Sequence, residues 1–458
     1  MTNLNGSYRG SSSRGEEEFP MLTTSPLAHC SSVFKPTPEL LAQLDQYIRK
    51  KKVPADKSKC HRFLTPLTLI EDPYLRSALN DVLAELNGLF KWPSQTKYRK
   101  TLEQMLEFVV LNLALGALTN KWTLIDKCKS HYSKGYSRYT TEFSYSSLMT
   151  VIDMLKQARL IRLLKGGKYV KGSMLTRIYP VKSLEQQLYP FGLAVRQSLR
   201  PPYLTINEPD AGWEVVPKVD DSHPDKQMMY AINEELKAHK WACKGPVVLK
   251  YKHNVFTGGR VYTHFQTLMA NTVPLRMHTL IDGEPIAEVD FNASHLRMGL
   301  ALFSGEDAGD DPYRRIADYA QTTRDKVKGY ITIALSCDTP KSAHNALIFE
   351  RYRGSEIKTL ENATRHCYPN LRLYDALGIH LQSLEGQILM QVMYQGVLEG
   401  KVVLPIHDAV AVKAQDAEWA AERMEAAWVQ VCCNKGVAGR PRLKTKITHK
   451  HLSLTETG

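Results

Sequence analysis

Two apolar runs in the C-terminal half of this chain each end at an aspartate, and that pairing constrains the fold more than any other feature. In EPIAEVDFNASHLRMGLAL the pattern predicts a strand over Ile286–Phe291 that delivers Asp290 near its end, with a helix starting at about Ser294. In KVVLPIHDAVAVK two strand-like halves flank His407 and Asp408, which predicts a tight hairpin with Asp408 at its tip. A buried sheet presenting two carboxylates from neighbouring strand ends is how a two-metal phosphoryl-transfer centre is built, because closely spaced divalent ions must be bridged by fixed oxygens. Taken singly, neither aspartate is convincing, because an Asp at a strand end caps a helix more often than it binds metal.

Between the two aspartates lies QTTRDKVKGYITIALSCD. If it is helical, Arg324, Lys328, Thr332 and Ser336 recur every four residues and share one face. Two cations one turn apart suit a triphosphate, which takes a bidentate guanidinium and a mobile ammonium together; the plainer reading is a solvated basic face. His264, His278 and His295 are spaced too irregularly for a zinc triad. No G-x-x-x-x-G-K-[ST] segment occurs, which argues against an ATP-driven helicase.

The rest of the sequence sets the context. The chain has 458 residues, 43% of them hydrophobic and 23% charged, enough for two to four ordinary domains. Its formal charge of +13 favours a polyanionic partner, nucleic acid first. Eight cysteines without a C-x-x-C pair fit a reducing, cytoplasmic setting. The most apolar run, 108–118, is short of the roughly 20 residues that span a bilayer, so no membrane association is expected.

Residues 1–35 read as a Ser/Gly-rich flexible tail and 36–97 as a helical segment. Residues 98–199 combine an apolar helix, a basic aromatic stretch, a helix that Ser144 or Ser146 can cap, and two strand-like runs around a Gly-Gly turn with a Lys-rich tip. That order looks like a winged-helix DNA-binding domain. Within 121–180 there are 12 Lys and Arg against 3 Asp and Glu, a net of +9 suited to phosphate contact, with Lys165, Lys168 and Lys171 at the tip. The proline- and acid-rich stretch 200–226 reads as a linker, followed by a catalytic portion over 227–458. The helix after the second aspartate, DAEWAAERMEAAWVQVC, offers Trp419, Met424 and Trp428 as core residues.

The motifs of this C-terminal portion resemble those of family A, DNA polymerase I-like, polymerases. DFNASHLR is similar to motif A (D-Y-S-x-x-E-L-R), RDKVK to motif B (R-x-x-x-K) and IHDAV to motif C (V-H-D-E). FTGGRVYTHFQ is similar to the T-G-R segment, and LQSLEGQILMQVM to the glutamine-bearing helix before motif C. The five fall in the family's order over 257–412. The resemblance implies an α+β fold: a palm with an antiparallel sheet and short helical fingers, here preceded by a mainly helical winged-helix domain. It implies Asp290 and Asp408 as catalytic metal ligands for Mg²⁺, with Mn²⁺ as a substitute. It implies Arg324, Lys328, Thr332 and His295 at the incoming nucleoside triphosphate, and Arg260, Gln382 and His407 at a DNA primer-template, with Arg297 supporting motif A.

The departures are specific. His295 stands where the family has the glutamate that polices the sugar, Thr332 and Ser336 replace an aromatic and a tyrosine, and Ala409 replaces an acid, with Glu288 and Glu385 as possible substitutes. The expected function is template-directed nucleotidyl transfer in replication or repair of a mobile element such as a phage or plasmid. The alternative is a catalytically inactive, palm-containing initiator or DNA-binding regulator; a nuclease using the same carboxylates would leave the Arg324/Lys328 face without a role.

Overall fold

The computed structural model describes residues 32–55, 61–132, 144–169, 172–207, 214–252, 254–255, 258–270, 272–303, 305–306, 308–433 and 441–447. The protein is α+β, with sheets that are mainly antiparallel. Residues 1–31 of the expected tail 1–35, much of the basic aromatic stretch and Lys171 lie outside the described residues, whereas Val33 and Phe34 of that expected tail are buried.

The described chain forms two units. One holds 48–65 and 73–192. Its first helix, α1 (Pro73–Gly88), buries Leu75, Leu79, Val82 and Leu86, a spacing of three and four that puts all of them on one stripe. The apolar run at 108–118 is the centre of a 24-residue helix, α2 (Thr96–Thr119), which stops at Asn120 in the left-handed conformation (φ 53°). By length and composition α2 could cross a membrane, a reading the shorter run did not suggest, but 78% of its most apolar window is buried inside the protein. Strand β1 (Trp122–Ile125) follows. Helix α3 (Tyr145–Gln157) starts at Ser144, whose Oγ accepts from the Ser147 N–H, and it buries Leu148, Ile152 and Leu155. Strands β2 (Ile161–Leu164) and β3 (Thr176–Pro180) pair antiparallel, and the sheet runs His61–Phe63, β1, β3, β2. A small hairpin, Gly167–Tyr169 with Gly172–Met174, lies between β2 and β3 in sequence.

The second unit holds 32–47, 66–72 and everything described from 193 onward. Residues 36–97 are therefore not one helical segment. Leu67–Leu69 pairs antiparallel with Val195–Gln197, and Val33 and Phe34 are fully buried against the 278–280 backbone, with Leu280 N–H donating to Val33 O at 2.8 Å. The stretch 200–226 is not simply a linker either. Strand β4 (Leu204–Asn207) pairs with β5 (Val248–Lys252) in a sheet that β6 (Arg260–Tyr262) extends, because Leu204 and Leu249 are apolar enough to be buried.

The elements that carry the aspartates follow in order: β7 (Glu284–Phe291), α4 (Ser294–Phe303), α5 (Arg324–Ser336), α6 (Leu377–Glu399), β8 (Leu404–Ile406), β9 (Ala409–Lys413), α7 (Ala417–Cys433) and β10 (Leu443–Ile447). The sheet reads β10-β7-β9-β8, all antiparallel, with Leu280–Ile281 pairing the start of β7. Phe291 meets Trp428 of α7 at 5.2 Å between ring centroids. Met424 and Trp428 are core residues, whereas Trp419 is half-buried and donates its ring N–H to Glu399 at 2.7 Å.

Candidate active site

The register of β7 against β9 runs from Ile286 opposite Lys413 to Asp290 opposite Ala409. Alternation along β7 buries Ala287, Val289 and Phe291 on the side of α7 and turns Glu288 and Asp290 to the other face. Asp408 immediately precedes Ala409 in the two-residue turn between β8 and β9, so sheet pairing alone brings the two aspartates together across 118 residues of chain. The turn holds His407 in the left-handed region (φ 53°), which costs a non-glycine residue of order 1 kcal/mol and is sustained by the strands on either side. At the end of β7, Ala293 (φ 57°) reverses the chain into α4, where Ser294 Oγ donates to Asp408 Oδ2 at 3.0 Å.

The electrostatics follow from that crowding. Partial burial, and next the charge of Asp408, push the Asp290 carboxyl well above the ordinary range, while Lys446 and Lys328 pull it back. Burial and then the Glu385 charge raise Asp408, against the opposing bond from Ser294. Glu385 behaves in the opposite way. Burial alone would raise it, but His295 and Arg260 outweigh that and hold it below its usual value. Arg260 reaches Glu385 Oε1 through Nε (3.2 Å) and Nη2 (3.1 Å), and His295 Nε2 stands 2.9 Å from Oε2. The contact is possible because the next residue is Gly386: a Cβ there would collide with the Gly259 carbonyl, so only glycine lets α6 approach the strand bearing Arg260 this closely.

The remaining expected residues are distributed as follows. Lys328 is exposed on α5 and within electrostatic reach of Asp290. Arg324 is half-buried at the first turn of α5, donating through Nε to Asp311 Oδ2 (2.7 Å) and through Nη2 to Asn292 Oδ1 (3.1 Å), with its guanidinium over the Tyr313 ring. Thr332 and Ser336 are exposed on the same helix, but their hydroxyls donate to the Lys328 and Thr332 carbonyls one turn back. Gln382 is half-buried on α6, one turn before Glu385. His407 lies at the surface of its turn, and partial desolvation of its ring, followed by the nearby Arg260 charge, lowers its pKa. Arg297 binds the Asn292 and Asp310 carbonyls (2.7 and 2.6 Å), which fixes the loop after β7. Lys165 and Lys168 belong to the other unit, Lys165 exposed beyond β2 and Lys168 on the small hairpin.

Glu288, one of the two candidate substitutes, is committed elsewhere: Arg276 donates to both of its oxygens, at 2.5 and 3.2 Å. Sequence reasoning overlooked Asn292, Asp311, Ser294 and Arg276, and two lysines on β10. Only the lysines leave a trace in the sequence, as the alternation in LKTKI.

Two carboxylates whose crowding disfavours their charged forms fit a divalent cation, since its charge removes the repulsion. Among the described residues no group of three or more His, Cys, Asp or Glu is placed to hold a metal. A pair of carboxylates suits Mg²⁺, which keeps waters and takes substrate phosphates as further ligands.

No protein-family model matches the chain, and no curated protein does. Among solved structures it is similar to the POL domain of Pol1 from M. smegmatis in complex with DNA primer-template and dNTP. The identity is 9% and the TM-score 0.30, over 81% of this chain and 69% of that one. An overlap this loose aligns no individual residue.

Proposed function

We propose that the chain is a template-directed nucleotidyltransferase that extends a DNA primer from nucleoside triphosphates. The observation that carries this reading is the β7–β9 register, which sets Asp290 beside the turn holding Asp408. These two residues would hold the divalent cations, Mg²⁺ or Mn²⁺, which when bound would activate the primer 3′ hydroxyl and neutralise charge on the phosphates. Ser294 orients the Asp408 carboxylate. Lys328 supplies a mobile ammonium on the side of Asp290 for the triphosphate. Glu385 holds Arg260 and His295 in fixed positions at the edge of the site, so both can contact a primer end or nucleotide without first being ordered.

The test is purified protein with a primed template and Mg²⁺, offered dNTPs or NTPs separately. Asp290→Ala and Asp408→Ala should each lower extension by about 10³-fold or more, the equivalent of several kcal/mol of lost charge stabilisation. Extension that survives in either variant removes the assignment. One observation favours a catalytically silent DNA-binding role instead: the engagement of Arg324 by Asp311 and Asn292. That role predicts primer-template binding with no incorporation by the wild type.

A further inference from the structure

Strand β10 (LKTKI) lies antiparallel to β7 with Lys444 opposite Asp290 and Lys446 opposite Glu288. Residues directly opposed on neighbouring antiparallel strands point to the same side of the sheet. Lys444 and Lys446 therefore stand on the face that carries Asp290, and Leu443, Thr445 and Ile447 on the face towards α7. Exposure follows the same alternation: both lysines are exposed and the three residues between and around them are half-buried. Arg442 continues the row, paired 2.9 Å from Asp310 in an exposed contact of small energetic weight. Among the described residues neither lysine has a carboxylate within ion-pair distance, and no strand pairs with the outer side of β10.

We infer that β10 is a rail for the sugar–phosphate backbone of the nucleic-acid strand that reaches Asp290, with Lys444 and Lys446 each taking one phosphate. The inference rests on the nucleotidyl-transfer reading of the Asp290/Asp408 site and adds how that site holds its polymer. The two ammonium groups spring from positions about 6.7 Å apart on an extended strand and lie open to solvent. Cations strung along a line suit a chain of phosphates; a free triphosphate, which is compact, needs cations that converge. Lys446 is also in electrostatic range of Asp290, so the row leads up to the carboxylates.

The rival explanation is that lysines on an open edge strand only prevent another strand from adding to it. Charge reversal separates the two, because glutamates protect an edge as lysines do but repel phosphate. The experiment measures binding of a fluorescent primer-template to the full chain across a KCl series, without nucleotides. In Lys444→Ala/Lys446→Ala the slope of log K against log salt should become shallower by about 1.4–1.8, or 0.7–0.9 per lost phosphate contact. Lys444→Glu/Lys446→Glu should bind more weakly still while keeping the wild-type oligomeric state, and Lys444→Arg/Lys446→Arg should retain the wild-type slope.

An unchanged slope in the alanine pair overturns the proposal. So does an equal loss in a control pair, Lys341→Ala/Lys358→Ala, which removes the same charge elsewhere. Wild-type binding by the glutamate pair, with the alanine pair merely self-associating, also overturns it in favour of edge protection. Primer extension by the wild type tests the underlying reading separately. Extension with an unchanged slope eliminates the rail alone; a slope that depends on β10 without any extension eliminates the polymerase reading alone.

Discussion

The fold resists the charged forms of Asp290 and Asp408. Each carboxyl has its pKa raised, Asp290 by burial and the charge of Asp408, Asp408 by burial and Glu385. A carboxyl raised in the folded state adds stability below its unfolded pKa, near 4, and that stability is lost as pH rises through the higher folded value. Metal-free protein should therefore melt at lower temperature as pH is taken from about 5 to 8. Asp290→Asn should flatten that dependence and stabilise the chain at pH 8 by ~1–4 kcal/mol, since each pKa unit of the shift is worth about 1.4 kcal/mol and the two carboxyls share it. Denaturant titrations in EDTA at both pH values check this, and an asparagine variant no more stable than wild type at pH 8 contradicts the electrostatic account. Glu385 should respond with the opposite sign. Glu385→Ala leaves the Arg260 guanidinium without its partner and should cost about 2–4 kcal/mol, seen as a lower denaturation midpoint. The aspartates were readable in the sequence because each interrupts an apolar alternation. Glu288 sits in the same run and was equally visible, but its partner Arg276 lies in a short 3₁₀ turn without periodicity, so their pairing was not.

Among the elements, those whose signals are local were legible and those whose signals are distant were not. Helix α3 begins at a serine and carries its apolar stripe within four turns, and α5 follows the four-residue spacing of Arg324, Lys328, Thr332 and Ser336. What no spacing reveals is how each helical face is used: Arg324 turns to Asp311, and the Thr332 and Ser336 hydroxyls turn to their own backbone. The register of β10 was equally hidden, because nothing in LKTKI names Asp290 as its neighbour. The approach of α6 to the Arg260 strand depends on a single hydrogen at Gly386. Gly386→Ala meets backbone, which cannot rotate away, so it should destabilise the chain by about 1–3 kcal/mol and weaken primer extension through displacement of Glu385. Normal stability and normal activity in that variant would show that the helix can shift to make room.

At the scale of the whole molecule the two units alternate along the sequence. The chain leaves the second unit at 48, returns for 66–72, leaves again and comes back at 193. Composition placed boundaries near 97 and 199 because it registers proline and charge, whereas the actual division depends on which apolar residues find partners. A fragment starting at 193 lacks Leu67–Leu69 and uncovers Val195, and it also lacks Val33 and Phe34 from beside 278–280. It should be less soluble and melt lower than a chain starting at 27, as size-exclusion and thermal scans of the two would reveal. The same alternation sets a timetable during synthesis. Val33 and Phe34 leave the ribosome about 245 residues before the segment that covers them, a delay of roughly 12–50 s at ordinary translation rates of about 5–20 residues per second. For that interval two side chains that the finished fold buries completely lack the segment that covers them.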